Sequence, residues 1–265
     1  MSFLDHMEEL RWHIIRAAIG IAVFALLAAL FNRFIFNSII LAPGRPDFWT
    51  FEMFCTVGSK IGIKAFCIDE LPFIIQSRKM TGQFAMFITS SAVVGLIASF
   101  PYVFWEIWSF IKPGLYPQER KASRGAVFYV SFLFVLGVLF GYFIVTPVSV
   151  NFLANFQVDP SVKNEFDITS YVGTVVMIVL SSGVLFQLPI LVTFLTKAGI
   201  VTPQIMRQYF KHAFVIILVV SAFVTPPDPI SQVLITVPLL LLYQVSIWIS
   251  KRILRKEQRA AAAND

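Results

Sequence analysis

Long apolar runs separated by short polar turns dominate this chain, and six of them approach the roughly 20 helical residues that a 30 Å hydrocarbon layer requires. They fall at Trp12–Phe31, Phe84–Trp105, Ala126–Val145, Tyr171–Thr196, His212–Val224 and Ile230–Ile249. Backbone groups in lipid must be satisfied within the segment, so each run is predicted to be a helix. The expected fold is all-α, a single six-helix membrane domain over residues 1–250 followed by a basic, disordered tail over 251–265. The fifth run is short: 13 residues rise only about 20 Å, so the bilayer must thin beside it or neighbouring helices must shield its ends. Asp5, Glu8 and Glu9 precede the first run and no small-residue cleavage site follows it, so that span is expected to stay in the mature protein.

Composition agrees with a membrane class. Hydrophobic residues make up 57% and charged ones 14%, against about 45–50% and 25% in soluble domains. The net charge of +6 does not point to nucleic acid, because the bases gather in loops and tail without a basic face or an RNA-binding motif. Their distribution sets orientation instead. The turn after the second helix holds Lys112, Arg120, Lys121 and Arg124, the loop after the fourth holds Lys197, Arg207 and Lys211, and the tail holds five more. The loop after the third helix has only Lys163, and the link after the fifth has none. Both termini are therefore expected inside. The six bases between Phe31 and Phe84 argue the other way, but that loop is long and its four acids partly offset them.

This first outer loop contains Pro43, Pro46, Pro72 and the apolar run Leu71–Ile75, too short to span and expected to lie on or cap the helices as a folded lid. Cys55 and Cys67 both fall here, on the face that is oxidising in a bacterium. A bridge and two free thiols are both open; the spacing and the lack of nearby histidines disfavour a metal site.

Within the spans, Gly137-x-x-x-Gly141 permits close helix approach, a motif also frequent by chance. Gln187 lies about 24 Å along the fourth helix from Tyr171, deep in hydrocarbon, where an amide wants partners; Pro189 frees the carbonyl of Leu185 beside it. Asp228, after Thr225-Pro226-Pro227, reads first as a cap on the sixth helix. His6, His13 and His212 sit at helix ends, and no protease, zinc or phosphate-loop motif is present, so no catalysis and no cofactor are expected. A secondary transporter of a small solute is the alternative reading, disfavoured by the lack of an internal repeat and by how few ionisable groups lie at depth.

The most distinctive stretch is Phe100–Arg124, where an aromatic helix end with Trp105, Trp108 and Phe110 runs into a basic turn carrying the lone acid Glu119. A carboxylate in such a turn ordinarily pairs with its neighbours Arg120 and Lys121. Together with His6-Met7-Glu8-Glu9-Leu10-Arg11, Pro101, Lys112-Pro113-Gly114-Leu115-Tyr116, Tyr142, Thr225-Pro226-Pro227-Asp228 and Ser231-Gln232, it resembles the TatC family of twin-arginine protein translocase subunits. The resemblance implies a bacterial inner-membrane receptor, both termini cytoplasmic, that recognises twin-arginine signal peptides and exports folded proteins with TatA/TatB-type single-span partners and the proton-motive force. It also implies self-association in the complex. On that basis Glu9 and Glu119, with Arg11, Arg120, Phe110 and Pro101, are expected to bind the signal peptide. Gln187, Gln232, Tyr142 and Pro189 are expected to receive a partner helix, and Pro226, Pro227 and Asp228 to form a periplasmic turn. Two features depart from the family pattern: Gln187 stands where Glu is frequent, and the first outer loop is long.

Overall fold

The computed structural model describes residues 3–62, 67, 71–114, 125–159, 161–225 and 228–261. Among them, five helices are long and apolar enough to cross a membrane, and a sixth, shorter apolar helix accompanies them. The helices are α1 (Phe3–Leu30), α2 (Trp49–Ile61), α3 (Gly82–Ile111) and α4 (Ala126–Asn155). They continue with α5 (Ile168–Leu185), α6 (Leu188–Lys197), α7 (Pro203–Gln208), α8 (Phe210–Val224) and α9 (Pro229–Ala261). Several run further than the apolar pattern alone indicated. The first begins before Trp12, α3 passes Trp105 to reach Ile111, and α4 continues beyond Val145 through Thr146–Asn155. The basic tail is helical as far as Ala261.

The chain packs as two compact units, Met1–Val135 with Gln157–Val176, and Leu136–Phe156 with Met177–Asp265. In the first, α1 lies against α3 along a seam of small residues. A Cβ placed on Gly95 would fall 2.6 Å from the Cα of Ala25, and one on Gly20 would strike the ring of Tyr102. Lipid offers no hydrophobic drive for helices to associate, so close backbone approach at such residues supplies the dispersion that holds them.

The long loop between α1 and α3 is built and braced. Its helix α2 buries Phe51 and ends at Gly62, whose φ of +81° is the left-handed cap that glycine adopts without strain. Cys55 is disulfide-bonded to Cys67. The end of the apolar run Leu71–Ile75, expected to lie on or cap the helices, enters a strand, β1 (Ile74–Gln76), paired in parallel with β2 (Glu165–Asp167) from the loop after α4. Periodicity cannot foresee such pairing, because the partner is far away in sequence. Phe73 packs on Phe166 at 5.0 Å, and the Tyr171 hydroxyl donates to the Ile40 carbonyl at 3.1 Å.

In the second unit, Gly137 and Gly141 abut Ser182, and a Cβ on Gly137 would come within 2.6 Å of the Ser182 carbonyl. The glycine pair is thus the seam between α4 and α5. Pro147 cannot donate to the preceding turn, and α4 loosens into a π-turn over Gly141–Val145; the Thr146 hydroxyl takes up the Gly141 carbonyl at 2.8 Å. Pro189 has a similar effect: the single fourth helix predicted from sequence is broken at Phe186–Gln187, between α5 and α6. Val145, Ile178, Ile217, Ile235 and Leu239 form the buried apolar cluster of this unit. The 15 residues of α8 rise about 22 Å, short of a hydrocarbon layer as expected.

Asp167 makes the sharpest testable feature of the loops around the β1–β2 strand pair. It accepts from the side chain and the backbone N–H of Thr169 (N–H at 2.8 Å) and from the Arg78 N–H at 3.0 Å, and these bonds hold its carboxyl down to about 2. Because the folded value lies below the ordinary 3.8, the stabilisation is complete above that pH and is lost as pH falls towards 2. The Thr169 amide resonance should titrate with a midpoint near 2 rather than near 4, and Asp167→Asn should abolish that step.

Candidate functional site

The first candidate surface lies on α1 and α3. Glu9, His13 and Arg16 recur at i, i+4 and i+7 on α1, and Tyr102, Glu106 and Phe110 at i, i+4 and i+8 on α3, so each set shares a face. Between the two, His13 Nδ1 and Glu106 Oε2 form a 2.6 Å hydrogen bond. Glu106 is only 2% exposed. The Tyr102 hydroxyl lies one turn before Glu106 and close enough to interact with it, as does the charge of Arg16 with that tyrosine. Phe110 meets the His13 ring edge-on at 6.2 Å. Beside this pair opens an apolar groove of about 250 Å³, lined by Leu10, Ile14, Ala18, Ile21, Ile107 and Phe110 among others.

Two expectations change here. His13 is not at a helix end but ten residues into α1, and the membrane region does contain an ionisable pair. The first follows from starting the first run at Trp12, the second from placing the end of the second helix at Trp105, which left Glu106 outside it; the helices in fact begin at Phe3 and, past the exposed Pro101, end at Ile111. The signal was present in the sequence, since a single acid inside the aromatic run Tyr102–Ile111 needs a partner. Trp105 is exposed, as an interfacial aromatic would be, whereas Trp108 is buried and stacks on Phe104.

Of the residues singled out for arginine recognition, Glu9 is half-buried and Arg11 exposed on α1, and Phe110 lines the groove. Glu119 and Arg120 lie outside the described residues.

The second surface belongs to α4, α5, α6, α8 and α9. Gln187 occupies the break before α6, and its amide donates to the Gly183 carbonyl at 3.4 Å rather than to that of Leu185. Gln232 reaches across to the Leu218 carbonyl on α8, also at 3.4 Å. Tyr142 sits in the π-turn, edge-on to Phe143, and Pro189 is buried in the first turn of α6. Further polar pairs tie α9 to its neighbours: Ser221 to Thr236, and Thr196 to Ser250, both at 2.9 Å.

Asp228 caps α9 as its position suggests. Its Oδ1 accepts from the Ser231 N–H at 2.6 Å, with Pro229 in the first helical position. Its Oδ2 accepts from Ser149 on α4, whose hydroxyl also bonds that of Ser231. Pro226 and Pro227 lie outside the described residues.

Removing one partner of a buried hydrogen bond leaves the other unsatisfied, at a cost of about 1–3 kcal/mol. Glu106→Ala should therefore lower the thermal stability of the purified protein markedly, while Glu106→Gln, which keeps a hydrogen bond to His13, should lower it much less. Equal melting temperatures for both variants and the parent would show that the pair does not hold α1 to α3.

Comparison with known proteins bears on the whole chain. The profile of the TatC family, described as Sec-independent protein translocase protein, matches residues 5–238. The TatC protein of Blattabacterium sp. subsp. Periplaneta americana is 37% identical over 97% of this chain and 97% of its own length. TatCy of Bacillus subtilis is 31% identical over 100% of this chain and 94% of its own. A crystal structure described as the twin arginine translocase receptor TatC superposes with a TM-score of 0.68 at 29% identity, covering 93% of this chain and 98% of that one. The same receptor in DDM gives 0.70 at 28%. The long apolar helices, the polar pairs that join them and these full-length similarities agree, and the chain belongs to the TatC family of Sec-independent protein translocases, as a multi-pass membrane protein.

Proposed function

We propose that Glu9, together with Glu119, receives the paired arginines of a signal peptide at the cytoplasmic face of a bacterial inner membrane, and that the groove beside His13 takes the apolar segment that follows them. The observation that carries this reading is the order of the lining. Glu9 immediately precedes Leu10, where a groove of about 250 Å³ begins and runs along α1 past Ile14 and Ala18 to Ile21. A ligand that is cationic first and apolar afterwards matches that order.

The chemistry favours carboxylates. Guanidinium groups take bidentate, charge-assisted bonds from them, and lysine cannot reproduce that geometry. Two such bonds contribute at most about 6 kcal/mol. Micromolar affinity corresponds to about 8, and the remaining 2 or so correspond to roughly 80 Å² of apolar surface removed from water. A groove of this size supplies that readily. Arg11 and Arg120 neighbour the two acids in sequence.

The second unit serves assembly. The faces bearing Gln187 and Gln232, with Tyr142 and Pro189, receive the transmembrane helix of a TatA/TatB-type partner, where an amide lowers the desolvation cost of a polar residue on that helix. Such a contact is worth about 0.6–2 kcal/mol. The subunit has no catalytic activity of its own, and transport draws on the proton-motive force. Both termini are cytoplasmic, and copies of the chain associate within the complex.

Glu9→Gln and Glu119→Gln should each abolish signal-peptide crosslinking in native membranes while abundance and insertion stay normal. Changing the signal's arginines to lysines should weaken binding although charge is retained. Normal export by the Glu119→Gln protein would refute the assignment. Separately, Gln187→Leu should weaken crosslinks to the partner helix without unfolding the protein; unchanged crosslinks would move that site elsewhere.

A further inference from the structure

Three basic side chains from two helices converge where α7 docks on the end of α9. The docking is firm: Met206 of α7 is buried against Val192 and Ile247, and the Tyr243 hydroxyl donates to the Met206 carbonyl at 2.9 Å. One turn beyond Ile247, a cleft of about 200 Å³ opens between Pro203, Gln204 and Arg207 on α7 and Lys251, Leu254 and Arg255 on α9. Lys251 and Arg255 are four residues apart on one helix face, a repulsive spacing for like charges, and Arg207 adds a third positive charge. Among the described residues, no carboxylate pairs with any of the three.

Membrane topology alone does not explain this. Bases that merely mark a cytoplasmic loop serve equally well splayed into water. Here they line one cavity together with Pro203 and Leu254, so the cavity combines cationic and apolar walls. Its depth is also defined. The apolar stretch of α9 runs over Pro229–Arg255, and Trp248, half exposed one turn before the cleft, is the kind of aromatic that settles at headgroup level. The Arg252 guanidinium lies 3.3 Å over the Trp248 ring, which holds that side chain at the same level.

We propose that this cleft binds the phosphodiester headgroup of an anionic phospholipid, with Arg207, Lys251 and Arg255 on the phosphate, Gln204 on the polar headgroup, and Leu254 against the glycerol and upper acyl chain. Inorganic phosphate shares the anionic chemistry but lacks the apolar part, so the lipid is the better fit to a lining of both kinds. The site is separate from the surfaces assigned to signal peptide and partner helix.

The test is native mass spectrometry of the full chain in detergent, with phosphatidylglycerol and phosphatidylcholine of identical acyl chains offered in competition. Phosphatidylglycerol should be retained preferentially, and its retention should fall as ionic strength rises. Each base near an anionic surface contributes about fivefold in affinity, so the triple variant R207Q/K251Q/R255Q should bind on the order of a hundredfold more weakly. The exposed single variant Arg255→Gln, which leaves the docking of α7 intact, should lose about fivefold. A control with the same charge change elsewhere, K60Q/K79Q/K163Q, should match the parent. Equal retention of the two lipids, or an equal loss in the control, would overturn the proposal. Displacement of the lipid by inorganic phosphate at comparable concentration would overturn it in favour of a small-anion site.

Discussion

Lipid removes the force that packs helices in water, and this protein depends on two glycine seams to replace it. Gly95 brings α3 within backbone contact of α1 at Ala25, and Gly137 with Gly141 brings α4 against Ser182 of α5. Any larger residue at Gly95 or Gly137 would push the helices apart, because the nearest atoms are backbone and cannot step aside; at Gly141 it would meet the Ser182 side chain. Overpacking of this kind costs about 1–3 kcal/mol in soluble cores. Each seam organises one of the two compact units.

Polar pairs then fix register along the seams. His13–Glu106 joins α1 to α3, Ser221–Thr236 joins α8 to α9, Thr196–Ser250 joins α6 to α9, and Asp228 with Ser149 and Ser231 joins the start of α9 to α4. An unsatisfied polar atom in hydrocarbon is costly, so each pair penalises sliding of one helix past the other even where its net contribution to stability is small. At the π-turn before Pro147 the Gly141 carbonyl accepts from both the backbone N–H and the hydroxyl of Thr146, and at the break before Pro189 the Gln187 amide takes up the Gly183 carbonyl. Tyr142 sits in the π-turn and Gln187 at the break, whereas Gln232 lies within the regular helix α9.

Outside the spans, a disulfide, a parallel strand pair and the Asp167 capping bonds brace the long first loop. The seams, the polar pairs and this bracing produce a scaffold with few side chains left to carry recognition. On α1, the groove beside His13 sits directly against the pair that holds the helix in place. His13 thus both lines the groove and joins α1 to α3.

The sequence by itself determined the number and type of spanning segments, the short fifth helix, the glycine approach at Gly137 and the cap at Asp228. Each is a local consequence of apolar length, missing side chains or a side-chain acceptor at a helix start. It also marked Glu9, Phe110 and Gln232 through family resemblance, and Gln187 through its depth in the fourth apolar run. Only the tertiary structure decided what depends on residues distant along the chain: that Glu106 belongs inside α3 and pairs with His13, that Ile74–Gln76 is a strand because Glu165–Asp167 lies beside it, and that Cys55 meets Cys67. The same holds for the convergence of Arg207, Lys251 and Arg255 on one cleft. A side chain's partner is set by which helices touch and at what register. Hydropathy reports how deep a segment lies but not what faces it.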